Sequence, residues 1–159
     1  MVSAARTPAS PASGDAKARL RLWIRMLRLT RAIESELREN LRTQFAATLP
    51  RFDVMAALHR FPDGMILSEL SRYLMVSNGN VTGIINRLVG DGLVERTLRD
   101  GDRRTSVVRL TERGMRNFES MASAHESWVN GIFTGLSPGE AERLSARLKQ
   151  TGIYPRTAP

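Results

Sequence analysis

Between residues 68 and 104 the chain sets amide, hydroxyl and guanidinium groups at spacings suited to reading a nucleic acid. Ser77, Asn78, Asn80, Gly83, Asn86 and Arg87 alternate with Val81, Ile84, Ile85 and Leu88, so that on a helix the apolar four share one face and the polar set the other. An Asn carboxamide can bond adenine N6 and N7 in a major groove, and an Arg guanidinium can bond guanine O6 and N7. Each good bidentate pair is worth about 1–3 kcal/mol of discrimination. Thr82 is a candidate phosphate donor, and Ser68 and Arg72, just upstream, are candidate backbone contacts. Further on, Arg99, Arg103 and Arg104 surround Asp100 and Asp102. An Asp two residues before an Arg can hold the guanidinium in the orientation needed to enter a narrow, strongly negative minor groove. Taken singly, Asn78-Gly79-Asn80 also suits a plain turn, and the charged hairpin a plain solvated one. Their order, helix then helix then basic hairpin, favours the groove reading.

The elements that would hold these groups follow from periodicity. Residues 68–74 carry Leu70, Tyr73 and Leu74 behind a candidate cap at Ser68, and a second helix begins at Ser77. Gly90-Asp91-Gly92 ends it, and residues 93–98 and 105–110 read as strands flanking a polar loop. A minimal strand at 65–67 precedes the pair of helices. Upstream, residues 16–45 form one long helix with apolar positions such as Leu20, Trp23, Leu27, Ile33 and Leu37. A second apolar line, Leu22, Met26 and Leu29, calls for packing on two sides. A shorter helix from Leu49-Pro50 stops at the Phe61-Pro62-Asp63-Gly64 turn. Thr111 caps another long helix, predicted to run toward Leu136, with Met115, Phe118, Ala122, His125, Val129 and Ile132 at alternating spacings of three and four. A last helix starts at Ser137-Pro138.

The fold class is therefore mainly α with a small β-hairpin wing: a winged helix-turn-helix at 49–111 between helical regions at 15–48 and 112–152. Residues 1–14, rich in Ala, Ser and Pro, are expected to be a flexible arm, and 153–159 a coil. A winged lobe of about 60 residues is too small to cover both terminal apolar stripes, which predicts a homodimer intertwined through those helices.

Composition bounds the partners. The net charge of +8 favours a polyanion. All 24 basic residues except Lys17 and Lys149 are Arg, a skew that codon usage can explain. Cysteine is absent, which removes thiolate metal sites and thiol redox sensing. His59 and His125 stand apart with no carboxylate cluster at ligand spacing, so no metal or cofactor is expected. No apolar run spans a bilayer and no secretory h-region follows the N-terminal charge, so a cytoplasmic protein without a membrane partner is expected. The chain lacks a Gly-x-Ser-x-Gly elbow, a phosphate loop, a His-Glu-x-x-His pair and a Cys nucleophile, and is read as a non-enzyme.

Leu-Ser-Glu-Leu at 67–70, Val-Ser at 76–77, Val-Thr at 81–82, Gly-Leu-Val-Glu-Arg at 92–96, Asp-Arg-Arg at 102–104 and Leu-Thr-Glu-Arg-Gly at 110–114 stand in an order that closely resembles the multiple-antibiotic-resistance regulator (MarR) family. The resemblance covers residues 20–150. It implies a homodimer whose two winged lobes bind a pseudopalindromic double-stranded DNA operator and act as a ligand-responsive repressor, with Arg104 as the minor-groove arginine and Asp102 its partner. Gly90 departs from the bulkier residue of many members and is expected to loosen the end of the reading helix. Members bind small ligands between the dimerisation helices and the DNA-binding lobe. By position, Trp23, Arg25, Arg28, Phe52, Met55 and His59 are the candidates here. Arg19, Arg21, Arg25, Arg28 and Arg31 suit an anionic ligand or a solvated face equally. The run 49–64 followed by the run 75–83 is similar to members that control aromatic-acid degradation, so an aromatic acid or its coenzyme A thioester is the expected effector. The competing readings are control of efflux or stress genes through a drug-like phenolic ligand, and a winged-helix architectural protein that binds DNA without sequence preference.

Overall fold

A computed structural model describes residues 14–99 and 102–151, with the side chains of residues 98, 99 and 102–105 outside that description. The elements run α1 (Gly14–Phe45), α2 (Leu49–Arg60), β1 (Met65–Ile66), α3 (Leu67–Leu74), α4 (Asn78–Gly90), β2 (Val94–Arg99), β3 (Asp102–Leu110), α5 (Glu112–Ile132) and α6 (Pro138–Lys149). The chain divides into two compact units, Met1–Glu36 and Leu37–Pro159. Most of the expected N-terminal arm and the whole expected C-terminal coil lie outside the described residues.

In the first unit the described residues belong to α1. Leu20, Leu22, Trp23 and Leu29 are each more than half exposed, an apolar surface that a solvated helix has no reason to carry.

In the second unit the core joins the last turns of α1 to α2–α5 and the sheet. Leu41, Met55, Leu70, Val81, Ile85, Leu88 and Val108 are fully buried, with Phe52, Val94, Phe118 and Met121 packed around them. Each such side chain contributes about 1.5–3 kcal/mol on leaving water. The sheet is antiparallel in the order β1-β3-β2, with Met65 opposite Val108 and Arg96 opposite Val108 on the other edge. Gly114 is required where α5 leaves the sheet, because a Cβ there would lie 1.9 Å from the Leu93 carbonyl oxygen.

The expected caps hold at two helices. Ser77 Oγ accepts from the Asn80 N–H at 3.4 Å, and Thr111 Oγ1 from the Gly114 N–H at 3.0 Å. The third is corrected. Ile66 occupies the cap position of α3, where Glu69 Oε2 reaches back to accept its N–H at 3.5 Å, and Ser68 lies inside the first turn. α5 also stops at Ile132, short of Leu136.

Candidate nucleic-acid interface

The fourth helix is seated by its apolar face. Val81, Ile85 and Leu88 are fully buried and Ile84 is half-buried, while Ser77, Asn78, Asn80, Gly83, Asn86 and Arg87 are all exposed, the division expected from their spacing. Gly79, Gly83 and Gly90 lie on the line opposite the buried one, and a Cβ at any of them meets nothing within 4 Å. The outermost line is thus bare backbone at the three glycines and carries Asn86 between Gly83 and Gly90, with Asn80 and Arg87 projecting beside it.

Several of these polar groups are already engaged within the chain. The single hydroxyl proton of Ser71, buried beneath the turn, is directed at Asn78 Oδ1, with the Ser68 carbonyl as a second, longer acceptor 3.3 Å away. Ser71 thereby clasps the end of α3 to the start of α4. The hydroxyl of Thr82, expected to serve a phosphate, donates instead to the Asn78 carbonyl at 2.8 Å, so its one proton is used inside the helix. Arg72 Nε donates to the Ser68 carbonyl at 3.3 Å, leaving the rest of its guanidinium exposed. Asn86 Oδ1 accepts from Arg96 Nη2 on β2, a bond between the helix and the hairpin that links positions ten apart.

The C-terminal end of α4 is fixed from three directions, which counters the loosening expected at Gly90. Arg51 Nη1 lies 2.7 Å from Asp91 Oδ2, Arg113 Nη1 donates to the Asp91 carbonyl at 3.2 Å, and Thr111 Oγ1 donates to the Gly92 carbonyl at 2.9 Å. Gly92 itself takes φ +68°, a left-handed conformation that favours glycine. Sequence alone gives Arg51 no role, and Arg96 and Arg113 enter there only as members of the motifs at 92–96 and 110–114.

The hairpin strands are longer than their sequence pattern predicts. Arg99 pairs with Asp102 across a register shift after Leu98, so Asp102, Arg103 and Arg104 belong to β3 and not to a loop. Strands made of charged residues have no apolar alternation to announce them. Asp100 and Gly101, and the side chains of Arg99, Asp102, Arg103 and Arg104, lie outside the described residues.

Among the effector candidates, Phe52 and Met55 are 6% and 0% exposed and pack in the core. Phe52 stacks on His125 with ring centroids 4.6 Å apart and touches Phe118 at 5.5 Å. Desolvation in that stack lowers the His125 pKa from its ordinary 6.5. His59 is exposed, with its ring 4.8 Å from that of Phe118 and Nε2 4.0 Å from Glu119 Oε1. It borders an open cleft of about 380 Å³ that also takes in Glu95, Arg109 and Glu112, where Arg109 Nε is held at 2.6 Å by Glu95. Trp23, Arg25 and Arg28 are exposed on the N-terminal unit.

Comparison with known proteins decides the family. The MarR family model matches residues 47–106, the span from the end of the α1–α2 connection into β3. A solved MarR family transcriptional regulator from Silicibacter pomeroyi is 32% identical, with a TM-score of 0.71, covering 87% of this chain and 95% of that one. The chain belongs to the MarR family. Its winged helix-turn-helix is therefore that of a family of transcriptional regulators and not of enzymes. The transcriptional activatory protein BadR of Rhodopseudomonas palustris is 37% identical over 95 residues, covering 58% of this chain and 49% of BadR. The HTH-type transcriptional repressor IacR of Pseudomonas putida is 30% identical over 111 residues, covering 70% of this chain and 66% of IacR. The match thus spans about half to two thirds of the length of these curated relatives. Among the described residues no helix is long and apolar enough to cross a membrane.

Proposed function

We propose that the chain is a sequence-specific, DNA-binding transcriptional regulator that works as a homodimer on a pseudopalindromic operator. The observation that carries this is the exposed face of α4, on which Asn86 shares a line with Gly79, Gly83 and Gly90, and Asn80 and Arg87 stand beside it, opposite a fully buried Val81, Ile85 and Leu88. Such a helix can enter a major groove deeply, and the basic hairpin beside it can reach the adjoining minor groove. Ser77, Asn78, Asn80, Asn86 and Arg87 are assigned to the groove, Ser68 and Arg72 to the sugar-phosphate backbone, and Arg99, Arg103 and Arg104, with Asp102 beside them, to the wing. The exposed apolar residues Leu20, Leu22, Trp23 and Leu29, together with Phe133, Leu144 and Leu148, support a dimer built from the terminal helices. The net charge of +8 supports an anionic partner.

Repression by occluding a promoter is the action we assign, with release on binding a small aromatic acid or its coenzyme A thioester. Support for an anionic effector is the set of exposed cations Arg19, Arg21, Arg25, Arg28 and Arg31 on α1. Within the first unit Trp23, Arg25 and Arg28 keep exposed side chains, and within the second His59 does.

Fluorescence anisotropy on a promoter fragment and on a scrambled duplex at matched salt tests the reading. Specific binding tighter by about 10³-fold or more, falling steeply as salt rises, is expected. Equal affinities for the two duplexes would leave only an architectural role.

A further inference from the structure

We infer that Arg96 sets the base preference of Asn86, turning an amide that could read adenine into a donor that prefers guanine; this rests on the DNA-binding function proposed above. A guanidinium can only donate hydrogen bonds, so the Asn86 atom that faces Arg96 Nη2 is the carbonyl Oδ1. The Nδ2 amine is then the end of the side chain left to face outward. Both side chains are exposed, and Asn86 stands on the line of Gly79, Gly83 and Gly90, between the last two, where no neighbouring side chain screens it from a duplex.

Bidentate reading of adenine needs Oδ1 to accept from N6 while Nδ2 donates to N7. Here one lone pair of Oδ1 already takes a charged donor, and the guanidinium charge repels the partly positive N6 amino group from the other. Guanine presents two acceptors, N7 and O6, and asks only for donors. This bond therefore favours guanine at the base pair that Asn86 meets. Arg96 acts through Asn86 and is a positioning residue.

Selection from a randomised duplex library, followed by anisotropy on the chosen duplex and its single-base variants, tests the assignment. The wild-type chain is expected to select guanine at one position of each half-site by about 5-fold or more over adenine. Asn86→Ala should lose the preference at that position alone. Arg96→Met should move that position toward adenine, and Arg96→Lys, which keeps a cationic donor, should retain guanine. Asn86→Asp keeps a partner for Arg96 but has no amide donor, so it should lose the guanine preference even if Arg96→Met proves too unstable to assay. The inference is overturned if these variants select the wild-type sequence at every position, or if Arg96→Met weakens all duplexes by one common factor. A wild-type chain that selects no sequence at all would overturn the sequence-specific function proposed above, a result that these two outcomes cannot be mistaken for.

Discussion

Arg51, in the first turn of α2, reaches Asp91, the residue that caps the end of α4, with Nη1 and Oδ2 2.7 Å apart. Arg51 is about a quarter exposed and Asp91 about half, so water screens the pair, and it is worth about 0.5–1 kcal/mol. Its larger effect is positional, because it locks the exit of the reading helix to a core helix. In a double-mutant cycle, Arg51→Ala and Asp91→Ala should couple by about that energy in urea melts. Operator affinity should fall more in each single variant than stability alone accounts for. Fully additive losses would show that the pair does not couple.

Gly83 sits in the exposed interior of α4, where a Cβ meets nothing within 4 Å. Gly83→Ala should therefore stabilise the free protein by about 0.5–1 kcal/mol through helix propensity. On a duplex the added methyl group stands on the ridge that faces the groove, so binding should weaken although the fold is firmer. Stability and affinity moving in the same direction would place that ridge away from the DNA.

Gly114 shows the opposite behaviour. The 1.9 Å approach of its would-be Cβ to the Leu93 carbonyl oxygen can be relieved only by moving backbone, and Gly114→Ala should cost about 3 kcal/mol. A change in thermal midpoint of a degree or less would contradict the close packing of α5 against the start of the hairpin.

His125, stacked on Phe52, has its pKa lowered by desolvation. The unfolded chain therefore binds a proton more readily than the folded one. The resulting stability is fully present above the unfolded value near 6.5 and is lost as pH falls through the lowered folded value. Between about pH 7.5 and about pH 5.5, wild-type stability should drop more than that of His125→Phe, which keeps an aromatic ring and removes the titration. Parallel pH profiles for the two proteins would remove His125 from the explanation.

The division of α4 into buried and exposed faces was legible in its sequence, because Val81, Ile85 and Leu88 repeat at helical spacing between a Ser cap and a Gly stop. The cap of α3 was not, since it depends on the Glu69 carboxylate reaching back to a residue, Ile66, that has no capping atom of its own. The burial of Phe52 and Met55 was hidden for a different reason. α2 buries Phe52, Val54, Met55, Ala57 and Leu58, residues on several sides of the helix, so periodicity gives no hint of which side is open. The bond from Arg96 to Asn86 links two polar residues across separate elements, and sequence spacing carries no signal for such a pair.

Two chains presenting paired reading helices to one duplex is the claim on which everything else rests. Sedimentation of the purified protein with a selected duplex, combined with a hydroxyl-radical footprint of the same complex, tests it most directly. Two chains per duplex and two protected patches one helical turn apart, about 10 base pairs, are the predicted result. One chain per duplex, or protection spread evenly along the DNA, would contradict it.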